Sequence, residues 1–128
     1  MTASDLVVVD SAGWVEYLGD GPKASVFGPY LDKPESVLLP TTVVYEVHKT
    51  LLRECGSQLA EGFLSAALGF HDRVIPLDVP IAELAARVSV DKKLPMAESI
   101  IYASARQHRA TLITSDGRFT GLHGVTIL

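Results

Sequence analysis

Four acidic residues stand where this chain can gather charge. Asp10 directly follows the apolar run LVVV (6–9), and Asp116 follows the run TLIT (111–114) with only Ser115 between them. Glu46 lies one turn inside TTVVYEVHKTLLRECG (41–56), and Glu98 sits in the opening turn of LPMAESIIYASARQH (94–108). If the two apolar runs are parallel strands, both aspartates emerge at the carboxyl edge of a sheet, where open α/β sheets bind their ligands. Helices that follow strands begin at the same edge, so carboxylates from four distant segments can converge there.

Such convergence is unfavourable without compensation, because each carboxylate opposes the ionisation of its neighbours. A divalent cation removes that penalty, and an all-oxygen donor set suits hard Mg²⁺ or Mn²⁺. An ion of this kind lowers the pKa of a bound water and stabilises charge on a phosphodiester under in-line attack. The chemistry expected is metal-assisted phosphodiester hydrolysis.

Each acid also has a plainer use. Asp10 can cap a helix starting at Ser11, and Glu46 can pair with Lys49 or Thr50 on an exposed face. Glu98 can serve the helix dipole, although Pro95 rules out a capping box. Asp116 with Gly117 makes an ordinary turn. Their joint placement, rather than any one of them, points to a site. Ser11 and Thr114 put hydroxyls beside the acids and are expected to support them, against the commoner use of such hydroxyls on local backbone. Lys92, Lys93, Arg106, Arg109 and Arg118 offer a cationic path for phosphate, while Lys92 and Lys93 equally suit a solvated helix end. His48, His71, His108 and His123 have no metal-ligand spacing, and Trp14 and Tyr17 read as core rather than as a stacking platform.

The elements that must hold these residues alternate. LVVV is a short β-branched strand stopped by Asp10, and SAGWVEYL repeats its apolar residues at helical spacing. Gly19 to Pro22 break the chain. KASVFGPYL is a weak helix and SVLLP a second strand. The helix over 41–56 places Val43, Val47 and Leu51 on one face and ends at Gly56, and SQLAEGFLSAALGF folds back on it as a hairpin. RVIPL is a third strand, and PIAELAARVSVDKK opens on a proline suited to a first helical position. A helix running to about His108, strand TLIT, turn SDG and strand VTIL complete the chain. Strands alternating with helices predict an α/β fold with a mainly parallel central sheet and helices on both faces. No internal repeat, linker or low-complexity segment interrupts it.

The chain has 128 residues, which suits one domain spanning 1–128 with a single core. A hydrophobic content of 48% with 20% charged residues is that of a globular chain. The formal net charge of -4 excludes a uniformly basic nucleic-acid binder but leaves room for a local basic patch. Cys55 is the only cysteine, so no internal disulfide or thiolate metal cluster is possible, in keeping with a reducing compartment. The apolar run in MTASDLVVVD is too short for a leader or a membrane span, so a soluble cytoplasmic protein with no membrane partner is expected.

Taken in order and spacing, VVVDSAGWVEYL, TTVVYEVHKTL, LPMAESIIYASA and ATLITSDGRF resemble the PIN-domain ribonucleases, most closely the VapC toxins of toxin-antitoxin pairs. The resemblance spans nearly the whole chain, and its last segment carries a T-x-D-x-x-F pattern in Thr114, Asp116 and Phe119. It implies a three-layer α/β/α sandwich and a Mg²⁺- or Mn²⁺-dependent endoribonuclease acting on RNA. It makes Asp10, Glu46, Glu98 and Asp116 the catalytic and metal-binding acids, in that order. A cognate antitoxin that blocks the site and a homodimer are implied as well. The departure is Glu98, where the family usually carries aspartate, a change that keeps the charge but adds a methylene and a rotatable bond. The alternative from another class is a non-catalytic PIN-like domain that binds RNA or protein through a degenerate acidic site. Other phosphate chemistries fit less well. A haloacid-dehalogenase-like site wants an acid at residue 12, which is Ala; a receiver domain wants a late lysine; and no GK[ST] loop is present.

Overall fold

Hydrophobic β-branched residues cross the centre of the molecule as short parallel strands. A computed structural model describes residues 5–128; the first four, at the start of the segment read above for a leader, lie outside the described residues. The order along the chain is β1 (Val7–Val9), α1 (Ser11–Leu18), α2 (Ala24–Leu31), β2 (Leu39–Pro40), α3 (Thr41–Glu54), α4 (Ser57–Leu68), β3 (Val74–Ile75), α5 (Val79–Lys92), α6 (Met96–Gln107), β4 (Thr111–Thr114) and β5 (Val125–Ile127). Single 3₁₀ turns occupy Pro34–Ser36, His71–Arg73 and Gly117–Phe119.

β4 lies between β1 and β5, and β2 pairs with β3, all in parallel. A parallel bridge between Val7 and Val37, with the Leu38 amide donating to the Val7 carbonyl at 2.8 Å, joins the two groups into the order β3-β2-β1-β4-β5. The chain winds from β1 outward through β2 to β3 and then returns to the other side of β1. With right-handed crossovers, α1 to α4 cover one face and α5 and α6 the other, giving the sandwich expected from the alternating pattern. The strands are shorter than their apolar runs suggested: besides the lone bridge at Val37, Leu39–Pro40 of SVLLP pair with Val74–Ile75 of RVIPL. β3 is the edge strand, with β2 as its one neighbour, and β2 meets β1 through the single Val7–Val37 bridge.

Helix positions follow the sequence closely. α3 buries Val43, Val47 and Leu51 completely, one residue per turn along the face that meets the core. α3 packs against α4, as the hairpin reading requires, and α5 packs against α6. α5 begins with Asp78 accepting from the Ile81 amide at 3.0 Å and ends with Lys93 in a left-handed conformation. Gly56, at φ 96, makes the sharp turn between α3 and α4 that a side chain would resist. Trp14 is buried and meets Phe63 and Phe70 edge-on at 5.6 and 6.1 Å. Tyr17 is only partly buried, and its hydroxyl donates to Asp32 at 2.6 Å. Among the described residues no helix is long and apolar enough to cross a membrane.

Candidate active site

The register of the two central strands sets the heart of the site. Val9 is level with Ile113, so the next residues, Asp10 and Thr114, face each other where the strands end. The Thr114 hydroxyl donates to Asp10 Oδ2, and the Gly13 amide donates to Asp10 Oδ1 at 3.0 Å. Asp10 thus caps α1, as its plainer reading expects, while remaining a buried carboxylate with 6% exposure at the strand ends. The two readings are compatible: the cap holds the acid still.

Small residues after Asp10 make this possible. A Cβ at Gly13 would stand 2.6 Å from Phe27 Cε1 and 2.7 Å from Val9 Cγ1, so α1 can lie against β1 and α2 only with glycine there. Gly13 is not among the candidate residues of the sequence. Its position three residues after the acid, where a capping carboxylate finds its amide, is the signal that points to it.

Glu46 comes to the same edge on α3. Its carboxylate accepts from the Ser11 hydroxyl at 2.7 Å, so its partner is the first residue of α1 and not Lys49 or Thr50 on its own helix. Asp116 follows β4, and its amide donates to the Thr114 hydroxyl oxygen at 3.0 Å. Thr114 therefore bridges the first and last acids of the set. Phe119, only 1% exposed, anchors the 3₁₀ turn that follows Asp116, which explains the spacing of the threonine, acid and aromatic.

Arg118 closes the other side. Its Nε donates to both Asp116 oxygens at 3.2 and 3.0 Å, its Nη2 to Oδ2 at 2.7 Å, and its backbone amide to Oδ1 at 2.9 Å. The same Nη2 lies 3.6 Å from Glu98 Oε1, which brings Glu98 from the opening turn of α6 into the group. The sequence placed Arg118 on a cationic path for phosphate; here its guanidinium binds the acids. The structure so brings Asp10, Thr114, Asp116, Arg118 and Glu98 into one run of contacts, with the Ser11–Glu46 pair beside it. Among the described residues Arg118 is the cation that meets these acids; Lys92 pairs instead with Asp91 at 3.7 Å.

The electrostatics divide the two aspartates. Burial pushes the Asp10 carboxyl above its usual value, against the lowering effect of the Thr114 and Gly13 hydrogen bonds, and the charges of Asp116 and Glu46 add to the rise. The Arg118 guanidinium holds Asp116 below the usual value, outweighing its partial burial. Donor chemistry and charge fit a hard divalent cation: carboxylate oxygens with two hydroxyls beside them, and a guanidinium already drawn in as counter-charge. In their present positions, however, no three acidic, histidine or cysteine side chains among the described residues form a ready ligand set.

Comparison with known proteins identifies the family and the fold. The PIN domain family matches residues 7–123. The chain belongs to the PIN-domain family. Among characterised sequences none matches it significantly. Solved structures share the fold of this PIN domain at low identity. A toxin-antitoxin complex from Klebsiella pneumoniae is 23% identical with a TM-score of 0.74, over 94% of this chain and 95% of that one. FitAcB from Neisseria gonorrhoeae is 22% identical with a TM-score of 0.68, over 88% of each chain. VapBC2 from Rickettsia felis, bound to a promoter DNA fragment, is 12% identical with a TM-score of 0.72, over 96% and 97%.

Proposed function

We propose that this PIN domain is a Mg²⁺- or Mn²⁺-dependent endoribonuclease and the toxin of a cytoplasmic toxin-antitoxin pair. The observation that carries the nuclease reading is the gathering of carboxylates from β1, α3, α6 and β4 at one sheet edge around the buried Asp10. The toxin reading rests on family membership and on the likeness to toxin-antitoxin complexes, and with it come a cognate antitoxin as inhibitor and a homodimer.

Asp10, Glu46, Glu98 and Asp116 would hold the metal. When bound, it supplies Lewis-acid polarisation of an RNA phosphodiester and lowers the pKa of a water. Asp10 contributes a carboxylate whose position is set by Thr114 and Gly13, so little reorganisation is required of it. A cation held there would offset the raised proton affinity of Asp10 and favour its ionised form. Ser11 orients Glu46 by donating to one oxygen and leaves the other free to act as a ligand. Glu98 reaches the group on one more methylene than the usual aspartate, with its opening-turn position favouring a negative charge.

The test is RNA incubated with the purified chain in Mn²⁺, Mg²⁺ or EDTA, beside Asp10→Asn. Cleavage by the parent in metal, lost in EDTA and reduced by at least about a hundredfold in Asp10→Asn, is expected for removal of a transition-state charge contact. Equal cleavage by parent and Asp10→Asn would reject the assignment. The tight engagement of Asp116 by Arg118 favours a second reading, a PIN-like binding domain without turnover, which predicts RNA retention with no cleavage in any metal. For the toxin role, expression of the chain alone should slow growth and co-expression of its neighbouring small gene should restore it.

A further inference from the structure

We infer that Arg118 is a built-in counter-ion of the acidic site, which a divalent cation must displace from Asp116 in order to bind. The inference deepens the metal-dependent reading above and rests on it. Three observations lead to it. Arg118 engages both oxygens of Asp116 with its side chain and one of them again with its amide, so it saturates the carboxylate. It reaches Glu98 with the same nitrogen that holds Asp116 Oδ2. Its charge also interacts with that of Asp10, so three of the four acids act on one guanidinium.

A merely superficial ion pair would not look like this. Arg87 with Glu83 and Arg53 with Glu54 are single-partner pairs on the exposed surface. Arg118 is half-exposed at its own end, but its partners are screened from water: side-chain exposure is 26% for Asp116 and 19% for Glu98. The guanidinium is a permanent, planar cation whose fork matches a carboxylate, so it offsets one negative charge of the cluster at any working pH. It supplies no vacant coordination position and no Lewis acid. The folded, metal-free state is thereby relieved of the repulsion that four carboxylates would otherwise suffer, while the site stays inactive until a cation takes Asp116 over.

Its exposure leaves Arg118 a way out. The guanidinium can turn from Asp116 into solvent without disturbing the core, because the turn is anchored by Phe119 and not by the arginine. The exchange is a competition between two cations for the same oxygens. Metal affinity should then rise when Arg118 is removed, the reverse of what a supporting residue would show.

The experiment uses the full chain with two readouts that do not depend on cleavage. Titration with Mn²⁺ alone, followed by calorimetry, should show Arg118→Gln binding about twofold to fivefold more tightly than the parent, the range expected for loss of a competing, partly exposed ion pair. Arg118→Lys, which keeps the charge but loses the fork, should fall between them. Thermal unfolding in EDTA should show Arg118→Gln less stable than the parent, and Asp116→Asn should restore part of that loss in the double variant but not in the parent background. Equal or weaker Mn²⁺ binding by a folded Arg118→Gln, with Asp10→Asn still weaker than the parent, overturns the counter-ion role and leaves the metal site standing. No Mn²⁺ binding by any variant overturns both. Independent, additive effects of Arg118→Gln and Asp116→Asn on stability in EDTA overturn the counter-ion role whatever the metal does.

Discussion

Thr114→Val tests whether one buried hydroxyl joins the two ends of the site. The substitution preserves shape and β propensity at a fully buried position, so packing should change little. It removes a donor to Asp10 Oδ2 and an acceptor for the Asp116 amide, held at 3.0 Å. A hydrogen bond to a charged group contributes about 1.5–3 kcal/mol and a neutral one about 1 kcal/mol. Since Asp116 is only partly buried, water can take up some of the second loss, and the expected destabilisation is about 2–3 kcal/mol near neutral pH.

The pH dependence carries the sign. Burial raises the folded Asp10 carboxyl above its unfolded value, so the native state holds more protons and stability from this group is lost as pH rises through the folded pKa. The Thr114 bond opposes that rise by favouring the ionised form. The Val variant should therefore suffer most above the folded pKa of Asp10 and least below it, where the carboxyl is neutral. Urea unfolding at several pH values, in EDTA, measures both effects, and Thr114→Ser should recover most of the loss. A Thr114→Val protein within about 0.5 kcal/mol of the parent at every pH would refute the role given to the hydroxyl.

Gly13→Ala places a methyl 2.6 Å from Phe27 Cε1 and should cost about 1–3 kcal/mol of overpacking, partly offset by about 1 kcal/mol of helix propensity; urea unfolding that shows a stabilised variant would refute the close approach. Glu98→Gln should change stability in EDTA by at most about 1 kcal/mol, since its ion pair with Arg118 is long and one partner is exposed, while lowering Mn²⁺ affinity and single-turnover cleavage together. Glu98→Asp restores the usual acid: faster cleavage would identify the extra methylene as misplacing a ligand, and slower cleavage would mean that the backbone of α6 here needs the longer arm.

Much of this molecule was legible in local pattern. β-Branched runs ended by acids located β1 and β4, and the four-residue repeat of Val43, Val47 and Leu51 located the buried face of α3. Parallel pairing turned those endings into a single edge, so the acids could be placed together from the chain order alone. These features are legible because periodicity and strand-to-helix junctions are properties of neighbouring residues. Partner choice is not. Ser11 rather than Lys49 meets Glu46 because α1 lies on α3, and Gly13 is needed because Phe27, from another helix, presses on it. Arg118 lies only two residues from Asp116, yet its role as counter-charge depends on Glu98 arriving from α6 and on the burial of Asp10 behind it. The sequence by itself determined the elements, their order and the edge at which charge collects; only the tertiary structure decided which charges neutralise which, because electrostatic energies depend on distance and burial, and both are set by packing between segments far apart in the chain.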